Sequence, residues 1–135
     1  MLNFAVNYLA VIAAAIAGAV VNALWYSVIL KRQVAALRAA DATIAGRDLA
    51  PPMYAVGLLG QLLCAFVLAV LLRSLGMTSI AGGLTVAALV GVGFTVAAVA
   101  QVQVFGYRRP GFLLIDGTNW LLAMLAQGIV LGAFG

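Results

Sequence analysis

Four long apolar stretches, separated by short polar breaks, dominate the chain. The first, "NFAVNYLAVIAAAIAGAVVNALWYSVIL", covers about residues 4–30, the second about 53–72, the third 80–105 and the fourth about 111–134. A helix needs roughly 20 apolar residues to cross a bilayer, at about 1.5 Å per residue. All four runs meet that length, and the first is long enough to tilt or to project beyond the hydrocarbon. The pattern predicts an all-α integral membrane bundle of four transmembrane helices in a single domain, residues 1–135.

The one substantial polar segment is 31–52, "KRQVAALRAADATIAGRDLAPP". Val34, Leu37 and Ile44 share a face, with Lys31, Arg38 and Arg47 as polar neighbours. That spacing predicts a short interfacial helix ending near Gly46, followed by a loop. Pro51 and Pro52 suit the first turn of the next helix, where a missing N–H costs nothing. The first apolar run lacks a basic leader and is about twice the length of a signal-peptide core, so it is expected to be a retained helix.

Composition sharpens this picture. The chain is 67% hydrophobic and 7% charged, with a mean hydropathy of +1.23. Soluble domains are about half apolar and about a quarter charged, so lipid must be the solvent. Lys31, Arg32, Arg38 and Arg47 lie in the first connection and Arg108 and Arg109 in the third, against Arg73 alone in the second. The positive-inside rule then makes 31–52 and 106–110 cytoplasmic and places both termini outside. A net charge of +4 is explained by this orientation, and no nucleic-acid partner is expected. The lipid bilayer is the expected partner, together with further copies of the chain or other membrane proteins.

Histidine is absent and Cys64 is the only cysteine. These counts argue against His-ligated haem, His/Cys zinc, a Ser-His-Asp triad and a Cys-His dyad, and no cofactor is expected. Cys64 lies within an apolar helix and reads as a small packing residue.

The remaining chemistry sits in a few polar side chains inside the apolar runs. Counting inward from each cytoplasmic helix end at about 1.5 Å per residue places Tyr26 and Asp116 roughly 8 Å deep and Gln101 roughly 10 Å deep. The same count places Gln61 and Asn119 about 12 Å deep and Asn22 roughly 14 Å deep. Helical spacing aligns Ala14, Gly18, Asn22 and Tyr26; Gly57, Gln61 and Ala65; Gly93, Ala97 and Gln101; and Asp116, Asn119, Ala123 and Gln127. A polar cluster of Asn22, Tyr26, Gln61, Gln101, Asp116 and Asn119 is therefore expected, with Gln127 the main polar group in the outer half. Trp25, Tyr26 and Tyr107 read as interface aromatics on the cytoplasmic side, and Asn3 and Tyr8 as markers of the opposite interface.

Asp116 has two readings at this point. It can fix helix register near a positive helix N-terminus, or it can be a protonatable group lining a cavity.

The stretches "NYLAVIAAAIAGAVVNALWYS" and "FLLIDGTNWLLAMLAQGIVLGAF" resemble the two signature ends of a bacterial family of small four-helix membrane proteins, known only as a domain of unknown function. The resemblance covers most of the chain and points to Asn7, Tyr8, Trp25, Tyr26, Ser27 and Asp116. It implies a location in the bacterial cytoplasmic membrane and an architecture, but no reaction. Val28 stands where the family has proline, so the first helix is expected to run straight into "KRQVAAL". "GTNW" fills the place of a larger aromatic or histidine after the family's I-D.

Three functions are compatible with these residues. The first is a non-catalytic membrane protein acting through helix packing, as a homo-oligomer or as an accessory subunit of a membrane complex. The second is an oligomeric transporter or channel for a small solute, proton or cation, using Asp116. An enzyme acting on lipid or quinone is the weakest, because Asp116 lacks an acid–base partner.

Overall fold

A computed structural model describes residues 1–40, 51–106 and 110–134. Among these residues the chain is helical, in five elements: α1 (Tyr8–Ile29), α2 (Lys31–Ala40), α3 (Pro51–Leu75), α4 (Ile80–Phe105) and α5 (Pro110–Phe134). All but α2 are long and apolar enough to cross a membrane. At about 1.5 Å per residue, a 25-residue helix reaches about 37 Å, enough for the hydrocarbon core.

The helix ends follow from local chemistry. The first helix begins at Tyr8 rather than near residue 4, because the side chain of Asn7 accepts hydrogen bonds from the Leu9 and Ala10 amides at 3.1 and 3.3 Å. This is an N-cap, satisfying donors that have no partner inside the helix. Ser79 caps α4 in the same way, accepting from the Gly82 amide at 3.0 Å. At the end of α3, Gly76 adopts φ +68°, a conformation that glycine reaches without a Cβ penalty. The Met77 amide then reaches back to the Leu72 carbonyl at 2.9 Å, closing the helix and starting a four-residue connection to α4.

The first helix does not continue straight into "KRQVAAL", as the valine at position 28 led us to expect. It widens into a π turn over Trp25–Ile29 and then breaks at Leu30, whose φ and ψ are −113° and 27°. The physical reason lies on α5. The Trp25 indole donates to the Ile115 carbonyl at 3.0 Å, and the Tyr26 hydroxyl donates to the Asp116 carboxylate. Two consecutive residues must therefore reach the same neighbour, and a wider turn brings their side chains closer in angle. The region from 41 to 50, with the expected end of the interfacial helix near Gly46, lies outside the described residues.

Consecutive long helices run in opposite directions. Asn7 on α1 donates to the Phe134 carbonyl at 3.1 Å, and the Asn3 amide donates to Ser74 at 2.7 Å. The start of α1 and the ends of α3 and α5 thus meet at one end of the bundle. At the other end Tyr26 meets Asp116, and α2 packs Leu37 against Gly111. We call this the α2 end.

The central helix is α5, which packs against α1 on one side and α4 on the other, while α3 lies chiefly against α1. The α4–α5 contact is backbone to backbone. A Cβ on Gly83 would lie 2.0 Å from the Gly128 carbonyl oxygen, and one on Gly132 would lie 2.2 Å from the Ser79 oxygen. Close approach of this kind is how helices associate where lipid removes the hydrophobic drive. The apolar core fills the half away from α2, with Ala10, Val11, Ala14, Ala65, Leu68, Leu72, Val86, Ala87, Met124 and Leu131 buried. Large apolar side chains such as Leu59, Leu89 and Phe105 point outward, as a lipid-facing surface requires.

Candidate functional site

Toward the α2 end the small residues of the core give way to polar ones, and α1 and α3 enclose a cleft. Its volume is about 900 Å³. Asn22, Tyr26 and Ser27 line it from α1, Tyr54 and Gln61 from α3, and Phe112, Ile115 and Asp116 from α5, while Val34 and Arg38 of α2 lie at the same cleft. Pockets of 300–1,000 Å³ with apolar walls and a few convergent polar groups are typical of ligand sites.

Three levels of polar groups can be followed inward. At the first, Tyr26 donates to Asp116 Oδ1, and Gln103 Nε2 on α4 donates to Asp116 Oδ2 at 2.6 Å. The carboxylate thus ties three helices together. One turn deeper lie Asn22 on α1 and Asn119 on α5, since the two helices are antiparallel and each asparagine is three or four residues inward from the Tyr26–Asp116 pair. Asn119 is 2% exposed. Deeper again, Gln127 Nε2 donates to Gln61 Oε1 at 2.7 Å and to the Gln61 carbonyl at 3.2 Å. A Cβ on Gly18 would lie 2.2 Å from Gln61 Oε1 and 2.7 Å from Gln127 Nε2. Gly18 is the hollow into which both amides fit.

Of the six residues expected to meet, Asn22, Tyr26, Gln61, Asp116 and Asn119 lie in this column or at its cleft. Gln101 does not. It is exposed, and its side chain turns back to the Ala97 carbonyl of its own helix at 3.4 Å. Gln103, 8% exposed, takes its place. The reason is a second π stretch, Gly91–Val96, within α4. Gly91 faces α5, a Cβ there meeting Leu121 at 3.0 Å. At about 100° per residue, a plain α-helix would leave Gln103 about 120° from Gly91 and Gln101 about 80° to the other side. One extra residue absorbed by the wide turns brings Gln103 to within about 20° of Gly91 and sends Gln101 to the opposite face. The sequence signals available for this were the second glutamine itself and the "GVGF" segment.

The other expected positions are distributed as follows. Trp25 is half-buried and hydrogen-bonded to α5, while Tyr8 is exposed at the far end. Tyr107 and Arg109 lie outside the described residues. Ser27 is exposed at the cleft, and Cys64 is half-buried on α3. Sequence reasoning placed Gln127 in the outer half and did not pair it with Gln61. No group of three or more His, Cys, Asp or Glu side chains occurs among the described residues. The polar groups offered here are amides, hydroxyls, one carboxylate and the Arg38 guanidinium.

Residues 9–132 match the model of the family described as "Protein of unknown function (DUF1761)", and the chain belongs to that family. No curated protein and no solved structure matches it.

Proposed function

We propose that this family member is a non-catalytic integral membrane protein that takes up a small amphipathic molecule in the cleft between α1, α3 and α5. The observation carrying this reading is the cleft itself, about 900 Å³ with apolar walls and polar groups from four helices. Such a mixture suits a ligand with an apolar body and a hydrogen-bonding head. Binding is favoured over passage because the polar column stops at Gln61 and Gln127. Beyond that pair the interior is filled by Ala14, Ala65 and Leu68, all at most 1% exposed. The carboxylate is held by two donors at the back wall, a positioning role rather than one of acid–base turnover.

Native mass spectrometry of the chain purified from membranes in mild detergent tests this reading. A bound small molecule is expected with the natural sequence. It should be lost in Ala23→Trp and Gly57→Leu, which place side chains in the cleft; a Cβ at Gly57 meets no atom within 4 Å, so the backbone there has room for one. An empty protein, or equal retention by the filled variants, contradicts the proposal.

A second reading is assembly through the outer helix faces, with copies of the chain or as an accessory subunit. It is supported by Gly60 and Gly93, where a Cβ would meet nothing within 4 Å. Small residues of this kind leave room for another helix to approach. The same mass spectra report it, as a mass above that of the monomer.

A further inference from the structure

The polar groups around Asp116 are unbalanced in a specific way. Among the described residues, five buried side-chain atoms have no hydrogen-bond partner: Gln61 Nε2 and Gln127 Oε1 at the deeper pair, and Asn22 Oδ1, Gln103 Oε1 and Asn119 Oδ1 nearer Asp116. The last three are acceptors, and they belong to residues within about one helical turn of the carboxylate or bonded to it. Gln103 is unambiguous: its amide nitrogen must face Asp116 Oδ2, at 2.6 Å, so its oxygen is left over. The donors reaching Asp116, a phenol and an amide, are neutral, and each carboxylate oxygen keeps a further lone pair. A buried acceptor without a donor is destabilising, and three beside a carboxylate are not explained by helix packing.

We propose that Asp116, Asn119, Gln103 and Asn22 form a site for one monovalent alkali cation, reached from the cleft past Asn22 and Asp116, which line it, with Gln103 and Asn119 buried behind them. Oxygen atoms alone are the ligands of hard cations. A single carboxylate among neutral amides balances one positive charge, whereas a divalent ion would leave a net charge inside the bilayer. The ligands come from α1, α4 and α5, so occupancy would fasten the three helices at the α2 end. Arg38 lines the same cleft from α2 and is itself engaged in an interaction. The site stands on the acceptor count and is independent of what fills the cleft.

The test is thermal unfolding of the full chain in lipid nanodiscs, followed by thiol labelling of Cys64. Lithium, sodium or potassium chloride replaces choline chloride at constant ionic strength. One alkali ion is expected to raise the midpoint saturably by several degrees. Asn119→Ala, which keeps the carboxylate, should weaken the apparent affinity at least tenfold, and Asp116→Asn should abolish the rise. The proposal is overturned if no alkali ion exceeds choline, if calcium stabilises more than all three, or if the rise survives Asp116→Asn. Should Asp116→Asn fail to fold, the Asn119→Ala titration decides, and unchanged affinity there overturns the site.

Discussion

Gly18 is where residue-scale chemistry is plainest. Two amides, from Gln61 and Gln127, fill the place its side chain would take. Each is almost completely buried, at 2% and 0% exposure. The pair is a mutual requirement: removing one partner leaves the other's amide unpaired in a medium without water. Gln127→Leu should therefore lower stability by about 1–3 kcal/mol, whereas the double change Gln61→Leu with Gln127→Leu should recover much of that loss. Unfolding midpoints of the natural sequence and the two variants in detergent check this. Helical spacing alone made Asn22, Tyr26, Gln61, Asp116 and Asn119 legible in the sequence. It failed for Gln101 and Gln103 because a one-residue swelling of the helix leaves no mark in a periodicity that assumes about 3.6 residues per turn.

At the scale of elements, α5 organises the bundle, and it does so by two unlike contacts. Toward α4 the contact is bare backbone at Gly83, Gly128 and Gly132, giving way to the Gln103–Asp116 bond at the α2 end; toward α1 it is polar at the α2 end and small apolar elsewhere. The helices could be read from run length, and the close contacts from the abundance of glycine, but not which glycines face inward. Gly83 and Gly60 separate the two cases. A Cβ at Gly83 would lie 2.0 Å from a backbone oxygen that cannot swing aside, while at Gly60 it meets nothing. Gly83→Ala should cost about 1–3 kcal/mol through overpacking, and Gly60→Ala should be neutral or slightly stabilising, as expected from helix propensity. Equal effects on the unfolding midpoint would contradict the observed α4–α5 approach. The break at Leu30 was not legible either, since it follows from Trp25 and Tyr26 both being held by α5 rather than from any helix-breaking residue.

For the whole molecule, four apolar helices of alternating direction bring Asn7 and Phe134 to one end and α2 to the other. This geometry gives the basic-residue count a concrete consequence. Single cysteines introduced at Leu2 and Phe134, in a Cys64→Ala background, should label with an impermeant thiol reagent from the same side of the membrane. A cysteine at Lys31 should label only from the opposite side, the cytoplasmic one if the positive-inside rule holds here. Opposite-side labelling of the two termini would contradict the bundle.

One carboxylate, Asp116, joins helices α1, α4 and α5 through Tyr26 and Gln103. Double-mutant cycles on unfolding free energy test it most directly, pairing Asp116→Asn first with Gln103→Leu and then with Gln101→Leu. Residues in contact couple by about 0.5–3 kcal/mol, while separated ones add independently. Coupling of that size is expected for Gln103 with Asp116 and none for Gln101. Coupling to Gln101, or strict additivity for Gln103, would contradict it.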